Sequence, residues 1–158
     1  MARTWGAPLA ALVAVVVGAC GSSGGSGGTV KAAADPGRPA AVAPTNRVVQ
    51  ITMLPKHFDP STVAAKVGET VTFRLVNSDT TYHEFTIGDA TTQAAREKEM
   101  TAMGPTPMGM ADRPYSVTLA GGQTKELAWT FISKGAVTYA DHEPGNFAAG
   151  MKGTVTVS

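Results

Sequence analysis

The run 70–77 limits what this chain can become more than any other stretch. Val71, Phe73 and Leu75 alternate there with Thr72, Arg74 and Val76. Side chains on a strand point to opposite faces with a period of two, so one face of this segment is apolar and has to be buried. The same signal recurs in shorter form. Val49, Ile51 and Met53 mark a strand over 48–53, and Leu127, Trp129 and Phe131 mark another over 125–131. Further short strands are expected at 62–66, 84–87, 116–119, 137–139 and 154–157. Phe58-Asp59-Pro60-Ser61, Gly68-Glu69 and Gly121-Gly122 read as the turns between them. The segment 91–103 breaks the pattern: Ala, Arg, Glu, Lys and Met without β-branched alternation predict a helix, decaying into Gly104-Pro105-Thr106-Pro107. The pattern therefore predicts an all-β, antiparallel Greek-key sandwich with one short, Met-rich helical insertion.

The N-terminus carries a different kind of information. Arg3 precedes an apolar run, Ala7 to Val17, of signal-peptide length and too short to span a bilayer comfortably. It ends in Val17-Gly18-Ala19-Cys20, which resembles a bacterial lipobox, with Cys20 as the lipidated residue; an ordinary secretory signal with an incidental cysteine is the plainer reading. The Gly/Ser run 21–28 then suits a flexible tether. We expect a signal peptide at 1–19, a disordered tether at 20–45 and a domain at 46–158, exported and lipid-anchored at the extracytoplasmic face of the membrane. Cys20 is the sole cysteine, so no intrachain disulfide forms and the domain itself has no thiolate. A net charge of +1 gives no reason to expect nucleic acid as a partner.

Two separated motifs carry a family resemblance. The first is Phe58-Asp59-Pro60, then Val67-Gly68-Glu69-Thr70-Val71-Thr72-Phe73, Asn77 and His83-Glu84-Phe85. The second is the tail Tyr139-Ala140-Asp141-His142-Glu143-Pro144-Gly145-Asn146 continuing to Gly150-Met151. Together they resemble plastocyanin- and azurin-like cupredoxins, and among these the small periplasmic cupredoxins tied to copper tolerance. The resemblance implies a copper site in which His83 is the first histidine ligand and Met151 the weak axial thioether. It also exposes two departures: Asp141 stands at the cysteine position and Asn146 at the distal histidine position.

Those departures decide the chemistry. The intense colour and fast electron transfer of a blue-copper site come from a covalent copper–thiolate bond, which a carboxylate does not supply. The candidate metal ligands are accordingly His83, Asp141, His142 and Met151, a mixed set for copper, either Cu(I) or Cu(II), with zinc as an option. Each has a plainer reading: an inherited histidine, a polar loop residue, or a methionine that packs the core. Asn146 is expected to hydrogen-bond the loop. Separately, Met100, Met103, Met108 and Met110 suit Cu(I) as thioether donors, or form a hydrophobic lid. His57 reads as a surface residue, and Glu97, Lys98 and Glu99 as a solvated helix face.

Two functions follow from different classes. One is a membrane-tethered copper-binding protein that sequesters copper or exchanges it with a donor or acceptor protein, without a blue-copper electron-transfer role. The other is a metal-free interaction module, which would need an exposed apolar patch, for instance around Phe147. No nucleophile–base pair or paired-carboxylate motif points to an enzyme.

Overall fold

The computed structural model describes residues 36–44, 46–105 and 109–158. Cys20, the signal segment, most of the tether and Met108 lie outside the described residues. Two five-stranded sheets face each other. The first runs β1 (Arg38–Ala40), β8 (Thr124–Thr130), β5 (Thr70–Asn77), β2 (Arg47–Leu54), β3 (His57–Asp59). The second runs β4 (Thr62–Ala65), β10 (Lys152–Val157), β9 (Gly135–Ala140), β6 (His83–Gly88), β7 (Ser116–Leu119). β2 pairs parallel with β5, and β10 parallel with β4, while the neighbours β5/β8, β6/β9 and β9/β10 are antiparallel. This is the expected all-β sandwich, but of mixed rather than purely antiparallel pairing, because β2/β5 and β4/β10 run parallel.

The alternation in β5 works as anticipated: Val71, Phe73 and Leu75 are fully buried. They meet Ile51 and Met53 of β2, and Phe85, Ile87 and Tyr139 of the second sheet, in one core. At its centre Phe85 lies 5.2 Å from Tyr139 and 5.3 Å from Phe73, with Phe58 edge-on to Phe85 and Tyr139. Such pairs add about 0.5–1.5 kcal/mol each beyond burial. Gly153 is required beneath this cluster, since a Cβ there would fall 2.0 Å from the Tyr139 ring.

Two elements differ from expectation. Residues 38–40, placed in the tether, form β1 against β8, with Pro39 opposite Trp129. A proline is tolerated there because β1 is an edge strand. Residues 57–59, expected as part of a turn, form β3 on the opposite edge, and the turn follows at Asp59–Pro60.

α1 (Ala90–Met103) crosses from β6 towards β7. Asp89 caps it, accepting from the Thr92 N–H at 2.8 Å and from the Thr92 hydroxyl. Its buried face is Gln93, Arg96 and Met100, so it docks through polar groups and a thioether rather than through an aliphatic stripe. Arg96 donates to Glu84 of β6 at 2.7 Å, and both side chains are buried. Breaking such a pair from one side costs about 3–5 kcal/mol. Glu99, expected to be solvated, instead pairs with Arg96 at 2.9 Å and with Arg113. Lys98 is exposed, as is His57.

Candidate functional site

The ends of β6 and β9 meet at one pole of the sandwich. Asn77, buried at the end of β5, organises the approach. Its side-chain amide donates to the carbonyls of Thr81 at 2.8 Å and Leu119 at 3.0 Å, while its oxygen accepts from the Asp79 N–H. That fixes the 78–82 turn and delivers His83 into the pole. Asp141 leaves the end of β9 and opens a loop that returns to Met151 and β10. The Asp141 N–H donates to the Met151 carbonyl, and the Met151 N–H to that of Asn146. Gly145 and Gly150 take φ of 82° and 88°, which a β-carbon would strain.

Within this frame His83 lies between two carboxylates. Its Nδ1 is 2.6 Å from Asp141 Oδ2 and its Nε2 is 2.9 Å from Asp79 Oδ2. Burial alone would lower the His83 pKa, but the hydrogen bonds and charges of Asp141 and Asp79 outweigh it and raise it above the ordinary value. Both ring nitrogens donate, the arrangement of an imidazolium. Asp141 is engaged through both oxygens: Oδ1 accepts from the Glu143 N–H at 2.7 Å, and Oδ2 accepts from His83 and from the Asn146 amide at 3.0 Å. Lys56 fixes the orientation of Asn146. Its ammonium donates to Asn146 Oδ1 at 2.7 Å, so the NH2 group of Asn146 is the end turned towards Asp141. His83 faces two carboxylates, Asp79 and Asp141, and Lys56 joins the network through Asn146.

This arrangement does not fit the copper that the resemblance implies. Nitrogen and oxygen ligands about 2.0–2.1 Å from one tetrahedral ion stand roughly 3.3 Å apart. The 2.6 Å between His83 and Asp141 is a hydrogen bond, so the two are not spaced as ligands of one ion. Asn146 presents a donor, Lys56 adds a positive charge beside the position, and no sulfur stands at 141. Met151 is fully buried in the core, in keeping with a packing role. Among the described residues no group of three or more His, Cys, Asp or Glu side chains is arranged to hold a metal.

His142 is not part of this cluster. Successive residues leaving a strand point to opposite sides, so Asp141 and His142 diverge. His142 turns towards α1, with Nε2 at 2.7 Å from Gln93 Oε1 and Nδ1 at 2.8 Å from Glu97 Oε2. Its ring stacks on Phe147 at 4.5 Å, and the Lys152 ammonium lies 3.7 Å from the other ring's centroid. Phe147 is half-buried beneath this cation, in the wall of a mostly apolar groove along α1 that Ala90, Ala94 and Ala102 also line. Glu97, expected to be solvated, is the His142 partner. Met100 is buried at 4% exposure, Met103 is exposed, and Met110 is half-buried. Sequence reasoning missed Asp79 and Lys56. An acidic residue in the turn four positions before His83 was a readable signal, whereas nothing near Lys56 marked it.

The comparisons agree with this architecture. The cupredoxin-like domain profile matches residues 13–106. The copper-resistant cuproprotein CopI of Pseudomonas aeruginosa is 34% identical, over 77% of this chain and 81% of its own length. The protein of the same name from Rubrivivax gelatinosus is 38% identical, over 77% and 72%. Among solved structures, the reduced auracyanin of Roseiflexus castenholzii superposes with a TM-score of 0.60 at 23% identity, covering 72% of this chain and 98% of its own. The sandwich, the profile match over 13–106 and relatives of this similarity together place the chain in the cupredoxin-like domain family.

Proposed function

We propose that the chain is a copper-handling protein of the cell envelope, which sequesters or delivers copper in copper tolerance without carrying electrons or catalysing a reaction. The observation that carries this reading is the similarity, over more than two thirds of its length, to proteins named copper-resistant cuproproteins. The exclusion of electron transfer rests on Asp141, since a carboxylate cannot replace the covalent copper–thiolate bond. The lipobox-like Val17-Gly18-Ala19-Cys20 and the Gly/Ser run after it support export and anchoring through Cys20. A tethered protein of this kind would exchange copper with a donor or acceptor protein in the same compartment. The test pairs deletion with repair. Cells lacking the chain should become copper-sensitive, the parent gene should restore tolerance, and a Cys20→Ser form should leave the membrane fraction.

A second reading is favoured by one specific observation, the closed His83–Asp141–Asn146–Lys56 network. A centre whose hydrogen-bonding capacity is met internally suits a metal-free module that kept the fold and exchanged the function. Copper titration separates the two, because the metal-free module takes no copper from a competing chelator in either oxidation state.

A further inference from the structure

The loop after β9 and the methionine helix are not independent regions: His142 and Met100 line the same cavity. It measures about 300 Å3 and lies between the C-terminal half of α1 and the loop after β9, with Glu97, Met100, Thr101, His142 and Pro144 in its wall. Gln93, Glu97 and Met100 fall at successive positions of one helical face, spaced by four and three residues. The Gln93 side chain is fixed in direction. Its NH2 donates to the carbonyls of Thr86 at 3.1 Å and Thr138 at 3.0 Å, so its oxygen is the group turned to His142. That oxygen accepts from His142 Nε2–H, so Nδ1 is the nitrogen that can offer a lone pair once it has lost the proton it donates to Glu97. An imidazole whose far N–H is held by a fixed acceptor is the arrangement that supports metal-binding histidines. Glu97 stands at Nδ1 in the metal-free state, partly exposed, where it can swing aside or join the ion.

We propose that this cavity is a second metal site, separate from the family's copper position, in which His142 Nδ1 and the Met100 thioether bind one Cu(I) ion with Glu97 at its rim. The inference rests on the copper-handling reading above and assigns it a place. A neutral sulfur with an imidazole nitrogen is a donor pair matched to a soft monovalent cation, and it needs no thiolate. The cavity has space for the ion and for water to complete its coordination, a liquid water occupying about 30 Å3. The site binds and releases Cu(I) without redox change. Loading requires that Nδ1 give up the proton it donates to Glu97, to that carboxylate or to solvent, and exchange the contact for the metal.

The test is anaerobic competition for Cu(I) against a chromophoric chelator, using the full chain with Cys20→Ser so that the lone thiol cannot compete. The parent and a His83→Gln variant should remove Cu(I) equally. Met100→Leu, which conserves volume, and His142→Gln should each weaken binding by more than about tenfold. Circular dichroism and thermal melting of each variant establish that it is folded, and Met100→Leu alone decides the matter if His142→Gln is not. Unchanged affinity in Met100→Leu would overturn this site while leaving copper handling standing. A parent that takes no Cu(I) at all would overturn both the site and the reading beneath it.

Discussion

Two histidines, His83 at the start of β6 and His142 just past the end of β9, show how a shared scaffold separates two chemistries. His83 is 2% exposed and faces a carboxylate at each ring nitrogen, Asp79 and Asp141, inside a network completed by Asn146 and Lys56. His142 is equally buried but faces one amide oxygen and one carboxylate, beside a cavity that also touches Met100. The first is a closed set of donors and acceptors; the second keeps a nitrogen next to open volume and a soft sulfur. Burial and residue type are the same in both. Both ring nitrogens are engaged in each; what differs is that only His142 borders open volume lined by a thioether.

The comparison can be broken most dramatically by restoring what the pole lacks. Asp141→Cys combined with Asn146→His should convert a centre with no copper chromophore into one with an intense visible charge-transfer band on adding Cu(II), because a thiolate then meets two imidazoles. An uncoloured double variant that still folds would show that the pole has lost the geometry as well as the ligands. Next in size is stability. His83→Ala leaves the Asp141 carboxylate buried beside Asn146 without its cation and should cost about 3–5 kcal/mol in denaturant unfolding. His142→Ala removes hydrogen bonds at the helix edge and should cost about 1–3 kcal/mol. Equal losses would erase the distinction between a sealed and an open histidine.

The smallest effect is on pH. The folded-state pKa of His83 is raised by Asp141 and Asp79 against the opposing effect of burial. A raised pKa means that the native state holds its proton more tightly than the unfolded chain does. The resulting stability is complete below the ordinary histidine value of about 6.5 and is lost as pH rises through the folded-state value. Unfolding free energy should therefore decline over that alkaline window, and His83→Gln should flatten the decline. An unchanged slope in the variant would place the titration elsewhere.

Much of the fold was legible because its strands carry a period of two. β5, β8 and β10 follow the alternation closely, and the helix stood out as the stretch without it. The two missed strands are three-residue edges, β1 and β3, which are too short to show a period; one contains Pro39 and the other runs into Pro60. The site was legible only in part. The loop pattern placed His83, Asp141, Asn146 and Met151 at one pole, but grouped His142 with them through sequence adjacency, which the alternation at a strand end undoes. Lys56 reaches Asn146 from ninety residues away, out of a tight turn in which it adopts φ of 66°. Long-range contacts of that kind leave no local trace. The polar burial of α1 was hidden for a related reason: Glu97 and Glu99 read as solvent-facing until their partners are known, and nothing local marked Gln93 and Arg96 as buried.

The measurement that goes most directly to the account is nitrogen-detected NMR of the imidazole rings during titration with Cu(I) or its redox-stable analogue Ag(I). The account predicts that His83 shows two N–H protons before and after one equivalent of metal, while His142 Nδ1 and the Met100 methyl group shift together. A His83 ring that loses its Nδ1 proton as the first equivalent binds, with His142 unmoved, would contradict it.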